Sequence, residues 1–470
     1  MSRRRPNFKA GLRRRLRELS AALALIGGIA GAAPLVLADD SQTMHGPTPT
    51  RRLVQADPLM PSALEMDFAL GAGLFKRNWV AAPASTQAVD GLGPIYNARS
   101  CNACHPGGAR SRDLTDRQNR PVPGLLVHLA HVAAGAVTPD PGYGEQIQTS
   151  GLPGQQPEAH LAIALQDGPR ITLGDGTIVQ LHRPQPVLSD LAFGPLAPGT
   201  DIGLRLAPAI QGLGLLQRIP AATILAGIAQ STEVAGRANW VTDKLTGAKV
   251  LGRFGWKAAQ PNLTQQNAHA FAIDIGMSTH LFPVGSGDCT SVEQACLAAP
   301  NGNSPQFGKV EIADSLLHLI DTFTIYARLP AVQPTSQDKQ SDILAGKKLF
   351  GEIGCIACHR PEYDLPAAAG DPAQHIAPYS DLLLHKMGPG LADGVTEGEA
   401  AGHEWRTAPL WGLGQAVAAD GQGALLHDGR AATILEAILW HGGEATAAQQ
   451  RVVALPTEQR ANLIAFLRSL

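Results

Sequence analysis

Apolar residues recur at helical spacing in several separate stretches of the chain. Residues 62–79 (SALEMDFALGAGLFKRNW) and 311–328 (EIADSLLHLIDTFTIYAR) predict helices, as does a stretch at about 341–352. TEQRANLIAFLRSL at 457–470 predicts a closing helix with Leu463, Ile464, Leu467 and Leu470 on one face. LHDGRAATILEAILWH predicts a further helix that runs to His441. Residues 159–183 follow another pattern: LAIAL, ITL, a Gly-Asp-Gly turn and TIVQL predict strands. Residues 39–58 read as a loose lead-in and LPAVQPTSQDKQ at 329–340 as a linker.

The first 38 residues have the pattern of a secretory signal peptide. Arg3, Arg4, Arg5, Lys9, Arg13, Arg14, Arg15 and Arg17 form the basic region, AALALIGGIAGAAPLVLA the apolar run, and Val36-Leu37-Ala38 the cleavage site. An uncleaved anchor is the alternative, but the run barely spans a membrane and carries glycines and Pro34. No other stretch is long and apolar enough to span. The whole chain has 38 Lys+Arg against 40 Asp+Glu. Cleavage removes eight basic residues and Glu18, leaving 30 against 39 and a net charge of −9. This predicts an acidic soluble protein outside the cytoplasm, in the periplasm, and gives no basic surplus for nucleic acid. At 470 residues and 44% hydrophobic, the chain has material for two or three folded domains.

The two halves echo each other. CNACH at 101–105 matches CIACH at 355–359. Arg205-Leu206-Ala207-Pro208 with GLG at 212–214 matches Arg406-Thr407-Ala408-Pro409 with GLG at 412–414. Trp256-Lys257-Ala258-Ala259 with Leu263 resembles Gly429-Arg430-Ala431-Ala432 with Leu435. Three matches in one order favour an internal duplication.

Cys-x-x-Cys-His is the haem c attachment pattern. Two thiols on one helical face can form thioethers with the two vinyl groups, and the adjacent His then lies beneath the iron. Cys101, Cys104 and His105 would hold one covalent haem c, and Cys355, Cys358 and His359 a second. A zinc site would need its four ligands at closer spacing, and a thioredoxin-like dithiol would need a βαβ setting. Cys289 and Cys296, in DCTSVEQAC, predict a disulfide closing a surface loop in an exported protein. The sixth ligands decide between an electron carrier and a reactive iron. His441 and Met387 are the rivals for the second haem. Leu435 to His441 has the spacing of Leu263 to His269, which makes His269 a candidate beside the first. Gln266 and Asp274 lie in the same segment. A carboxylate near an open iron can move a peroxide proton and a glutamine can hydrogen-bond the leaving oxygen, although the spacing fits a solvated helix face equally. Trp256, Trp405, Trp411 and Trp440 are candidates for relays between haems or for buried packing.

These motifs resemble the bacterial di-haem oxidoreductases described as putative peroxidases, also called thiol oxidoreductases. The resemblance runs along GLGPIYNARSCNACH, YGEQIQ, RLAPAIQGLGLLQ, LGRFGWKAAQPNLTQQNAHAF, GCIACHRPE, YSDLLLHKMGPGLAD, EWRTAPLWGLG and LHDGRAATILEAILWHGGEA. That family is similar to di-haem cytochrome c peroxidases and to the di-haem enzyme that matures methylamine dehydrogenase. The resemblance implies hydrogen peroxide reduction at the N-terminal haem, with electrons passed from the C-terminal haem. A small donor, such as a cytochrome c or cupredoxin, would supply them. It favours His441 over Met387 and sets Gln266 near a distal glutamine. Asp274 approximates a distal carboxylate, although the relatives carry Glu at a different spacing, and no His precedes His128 after the first motif. Two other functions stay open: a non-catalytic electron-transfer protein, and oxidative modification of a partner protein. Analogy with di-haem peroxidases suggests calcium between domains, for which the sequence offers no clear site. Repeat and resemblance together predict a mainly α protein of two cytochrome c-like haem domains. These are 39–335, with a β-containing insertion, and 336–470.

Overall fold

The computed structural model describes residues 54–470, apart from 86–89, 134, 229–233, 331–336 and 369. The expected signal peptide at 1–38 lies outside the described residues, as does half of the expected linker. In chain order the principal elements are α1 (Glu65–Lys76), α2 (Cys101–Cys104), β1 (Leu125–Ala133), β2 (His160–Thr172), β3 (Ile178–Ser189) and β4 (Thr200–Leu206). After these come α3 (Leu213–Arg218), α4 (Leu263–Ala270), α5 (Asp314–Ile325), α6 (Gln337–Glu352), α7 (Ile434–Leu439), α8 (Thr446–Ala454) and α9 (Thr457–Ser469).

The mainly α expectation is wrong: the described residues are 29% helix and 23% strand, the strands divided among many small sheets. β1 pairs antiparallel with β4 from Leu125↔Leu206 to His131↔Thr200. β2 and β3 form a long hairpin from His160↔Ser189 to Thr172↔Ile178, with its register broken near Gly168. The break has a packing use, since a Cβ at Gly168 would lie 3.1 Å from the Trp440 ring. Elsewhere, three-residue strands pair across long loops, as Leu384–Lys386 does with Glu404–Arg406. Runs this short leave no alternation for a sequence pattern to reveal.

Two helix crossings frame the two cysteine motifs. Phe68 and Phe75 of α1 pack on Phe323 of α5, with ring centroids 5.2 and 4.8 Å apart. Phe350 of α6 packs 5.4 Å from Phe466 of α9. The backbones meet at glycine in both. A Cβ at Gly71 would sit 2.9 Å from the Leu319 carbonyl carbon, and one at Gly346 2.6 Å from that of Asn462. Hydrophobic cores grow from each crossing. One gathers Phe75, Trp79, Phe271 and Ile320, the other Phe350, Tyr379, Leu463 and Leu467.

The fold also buries an ionic network. Arg205, at the end of β4, pairs with Asp393 and with Glu397 at 3.0 Å. Lys257, fully buried, donates to the carbonyls of Ala401 (2.8 Å) and Glu404 (2.9 Å). Both cations lie over the ring of Trp405, which stacks on His427 at 3.7 Å. Such groups are tolerated inside because each charge is paired and hydrogen-bonded.

Candidate functional site

Ser100 enters α2 in extended conformation, and the single turn Cys101–Cys104, which carries both thiols, packs against α1. Both are free, and burial beside Asp274 pushes the Cys101 thiol up to about 12 and raises Cys104 well above the ordinary thiol range. His105 Nδ1 lies 2.7 Å from the Pro208 carbonyl oxygen. A carbonyl only accepts, so Nδ1 carries the hydrogen and Nε2 keeps its lone pair. Burial holds this imidazole below its usual pKa, hence neutral. Phe75 stands 6.4 Å from the His105 ring. These groups border a cleft of about 510 Å³, open solvent included, with Asn267, Phe271 and Asp274 in its far wall.

Asp274 reaches the cleft through an irregularity in its helix. Asn262 caps α4 by accepting from the Gln265 N–H at 2.8 Å. After Ala270 the helix widens into a π-turn over Phe271–Ile275, which ends at left-handed Gly276. The extra residue in the turn rotates the later side chains about the helix axis, a device frequent at functional sites. Gln146 Nε2 donates to Asp274 Oδ1 at 2.8 Å, and burial raises this carboxyl above its usual range.

The second motif is built alike. Left-handed Gly354 starts the turn Cys355–Ala357, and His359 Nδ1 lies 2.9 Å from the Tyr379 carbonyl oxygen, again freeing Nε2. Phe350 stands 6.2 Å from the His359 ring. Burial pushes His359 down to about 4, and the charge of His441 acts in the same direction. His441 follows α7, with Nδ1 2.7 Å from the Ala437 carbonyl oxygen. Its Nε2 is therefore also the lone-pair nitrogen. Met387 lies next to it in the chain fold, its carbonyl oxygen 3.1 Å from where a Cβ at Gly442 would sit.

Several candidates lie elsewhere. His269 turns away from the first cleft to Glu145, at 3.1 Å, and packs on Phe282. Gln266 is outside the cleft lining, its Oε1 buried and without a partner. Cys289 and Cys296 form a disulfide with Cα atoms 6.1 Å apart. Trp256 donates Nε1 to the Leu206 carbonyl at 2.9 Å, Trp405 donates to that of Leu391 at 3.0 Å, and buried Trp440 leaves its N–H unpaired. Trp411 is a partly buried member of another hydrophobic cluster. The long helix expected before His441 is only Ile434–Leu439, because Leu426 and Gly429 have positive φ and Asp428 is chelated by Arg430. Sequence reasoning missed Gln146 and also His385, a buried histidine beside the second motif. His385 is gripped by Asp381 and Glu444 at 2.9 Å each; burial works against its charge, but Asp381 and Cys358 raise its pKa to about 11. Neither carries a motif; only the fold brings Gln146 to Asp274 and His385 to Glu444. Among the described residues no three or more His, Cys, Asp or Glu are arranged to hold a metal ion, and no helix is long and apolar enough to cross a membrane.

A family model described as "Di-haem oxidoreductase, putative peroxidase" matches residues 196–470. The match includes the second cysteine motif and Asp274 and begins after the first motif. No curated protein matches the chain. A solved structure of Kuenenia stuttgartiensis hydrazine synthase, pressurised with xenon, is 18% identical with a TM-score of 0.24. The alignment covers 41% of this chain and 65% of that one, just under two thirds of its length. At that score the likeness carries no argument. The residues present fit haem: each motif offers two free thiols beside a buried neutral imidazole with Nε2 unengaged.

Proposed function

Because the chain belongs to the di-haem oxidoreductase, putative peroxidase family, and so has a di-haem redox function, we propose that it is an exported enzyme that reduces hydrogen peroxide at the N-terminal site with electrons delivered through the C-terminal site. The observation that carries this reading is an asymmetry between two otherwise similar sites. His441 lies close enough to His359 for its charge to act on that imidazole. The cleft beside His105 is faced by a carboxyl, and among the described residues no second imidazole lines it. A closed centre suits electron transfer and an open one suits substrate.

Cys101 and Cys104, and likewise Cys355 and Cys358, would each add S–H across a vinyl group, forming a thioether. His105 and His359 would present Nε2 to the irons, with His441 completing the second. Bound haem supplies an iron that takes up peroxide oxygen and passes electrons to it. Asp274, as carboxylate, takes a proton from the near oxygen of peroxide and returns it to the far one, which leaves as water. One peroxide, two electrons and two protons give two waters. The Nδ1 bonds to Pro208 and Tyr379 hold both proximal rings in one tautomer throughout. A small donor protein in the periplasm would replace the electrons.

The test is the electronic spectrum of the purified mature protein, ferric and half-reduced, with and without peroxide. A high-spin haem that changes with peroxide supports the enzyme. Two low-spin haems indifferent to peroxide in both redox states would leave an electron carrier and retire Asp274's role.

A further inference from the structure

The way the chain holds Asp274 deepens the reading above and rests on it. We propose that Gln146 is a positioning residue for Asp274: it pins Oδ1 as a hydrogen-bond acceptor, so that the proton exchanged with substrate sits on Oδ2.

Gln146 is 1% exposed. Its Nε2 donates both to Asp274 Oδ1 (2.8 Å) and to the Ile273 carbonyl oxygen (2.9 Å). That carbonyl can only accept, so the amide nitrogen and not its oxygen must face this pair. Gln148, equally buried, donates its own Nε2 to the same carbonyl at 2.9 Å. Gln146 Oε1 is left buried without a partner. Turning the amide over would instead set that oxygen against two acceptors, which is worse. With an N–H already directed at Oδ1, a proton on Asp274 belongs on Oδ2, which has no hydrogen-bond partner among the described residues. The backbone there is fixed as well, since the Asp274 carbonyl accepts from Asn97 (2.9 Å) and Ala98 (3.1 Å).

Gln146 is itself held. Asp288 Oδ2 accepts from the backbone N–H groups of Glu145 (2.7 Å) and Gln146 (3.1 Å), and Asp288 adjoins the Cys289–Cys296 disulfide. The titratable groups facing Asp274 are Cys101 and Cys104 from α2 and His269 from α4. In the haem-loaded protein the cysteines are thioethers, which leaves His269, itself paired with Glu145. Burial raises the Asp274 carboxyl, while the Gln146 N–H opposes that rise.

Infrared spectra of the haem-loaded protein across pH test the proposal. The protonated-carboxyl band lost in Asp274→Asn identifies the group. Gln146→Leu removes the donor, and the midpoint of that band should rise by about one to two pH units, the worth of one hydrogen bond to a charged acceptor. Gln146→Glu, which keeps the size and sets a like charge beside Asp274, should raise it further. The acid limb of peroxide turnover should move with the band. A purely structural role would lower stability or haem content and leave the midpoint in place. An unmoved midpoint in a haem-replete Gln146→Leu protein overturns the proposal, and Gln146→Glu decides it should the leucine variant fail to load. A native protein that does not turn over peroxide fails the peroxidase reading, and an Asp274→Asn variant that matches the native rate removes Asp274's role; the infrared midpoint tests Gln146 separately from both.

Discussion

Two glycines on α1 should respond oppositely to the same substitution. A methyl at Gly71 would stand 2.9 Å from both the Leu319 carbonyl carbon and Phe323 Cβ, with the carbonyl oxygen nearer still, whereas a methyl at Gly73 meets nothing within 4 Å. Ordinary carbon contacts begin near 3.5 Å, so Gly71→Ala must part α1 from α5 by about half an ångström or more. A gap of that size forfeits roughly a quarter to a half of the dispersion energy across the crossing. The affected contacts include Phe75 and Phe323, 2% and 1% exposed. Overpacking of this kind costs about 1–3 kcal/mol, offset by about 1 kcal/mol of helix propensity. Gly73→Ala keeps only the propensity gain, about 0.5–1 kcal/mol. Urea midpoints should therefore fall for Gly71→Ala and rise slightly for Gly73→Ala, with Gly346→Ala repeating the loss at the second crossing. Because Phe75 also lines the cleft, Gly71→Ala should perturb the spectrum of the first haem more than that of the second. Equal midpoints for Gly71→Ala and Gly73→Ala would refute the argument that backbone contact fixes this crossing.

Further expectations concern the site. Asp274→Asn should lower peroxide turnover by about 10²–10⁴ with both haems retained; unchanged turnover removes its role. The reacting form is the carboxylate, and burial raises its pKa, so activity should fade as pH drops through a value above the ordinary carboxylate range. A pH–rate profile flat down to about pH 4, the ordinary carboxylate value, would contradict this. His441→Ala should change the spectrum of the second haem while Met387→Leu leaves it unaltered, and the reverse result would exchange their roles. Replacing Cys289 and Cys296 by serine opens a short loop and should cost about 2 kcal/mol in a denaturant titration; no loss would mean that the loop is held without the bond.

Legibility in the sequence followed the length of each pattern. The helices at α1, α5, α6 and α9 and the β2–β3 hairpin have long apolar repeats, and they form within a few residues of where the repeats place them. Part of the strand content was hidden because it is spent in pairs of two or three residues, such as Trp240–Thr242 with Lys249–Leu251, too short to show a pattern, and β1 and β4 were missed because each pairs with a strand far away in the chain. Gln146 was hidden for another reason. YGEQIQ carries no chemical signature of its own, and its partner lies 128 residues away. One usable signal was overlooked: Gly71 with Phe75 and Gly346 with Phe350 share a spacing of four, one helical turn that sets backbone contact and ring on a common face.

Spacing alone also set His269 beside the first haem, and the reason it misleads bears on how the two sites come to differ. Leu263 to His269 and Leu435 to His441 are equally spaced, but their helices stop in different places. α7 ends at Leu439, so His441 follows the helix, with Nδ1 on the Ala437 carbonyl and Nε2 unengaged near His359. α4 continues through Ala270 into the π-turn, so His269 stays on a helical face that directs it to Glu145. The residue that enters the first cleft is then the one the π-turn swings inward, Asp274. Two segments with matched spacing thus present an imidazole at one site and a carboxyl at the other. The choice lies in where the helical hydrogen bonds stop, which the spacing of chemically notable residues does not encode.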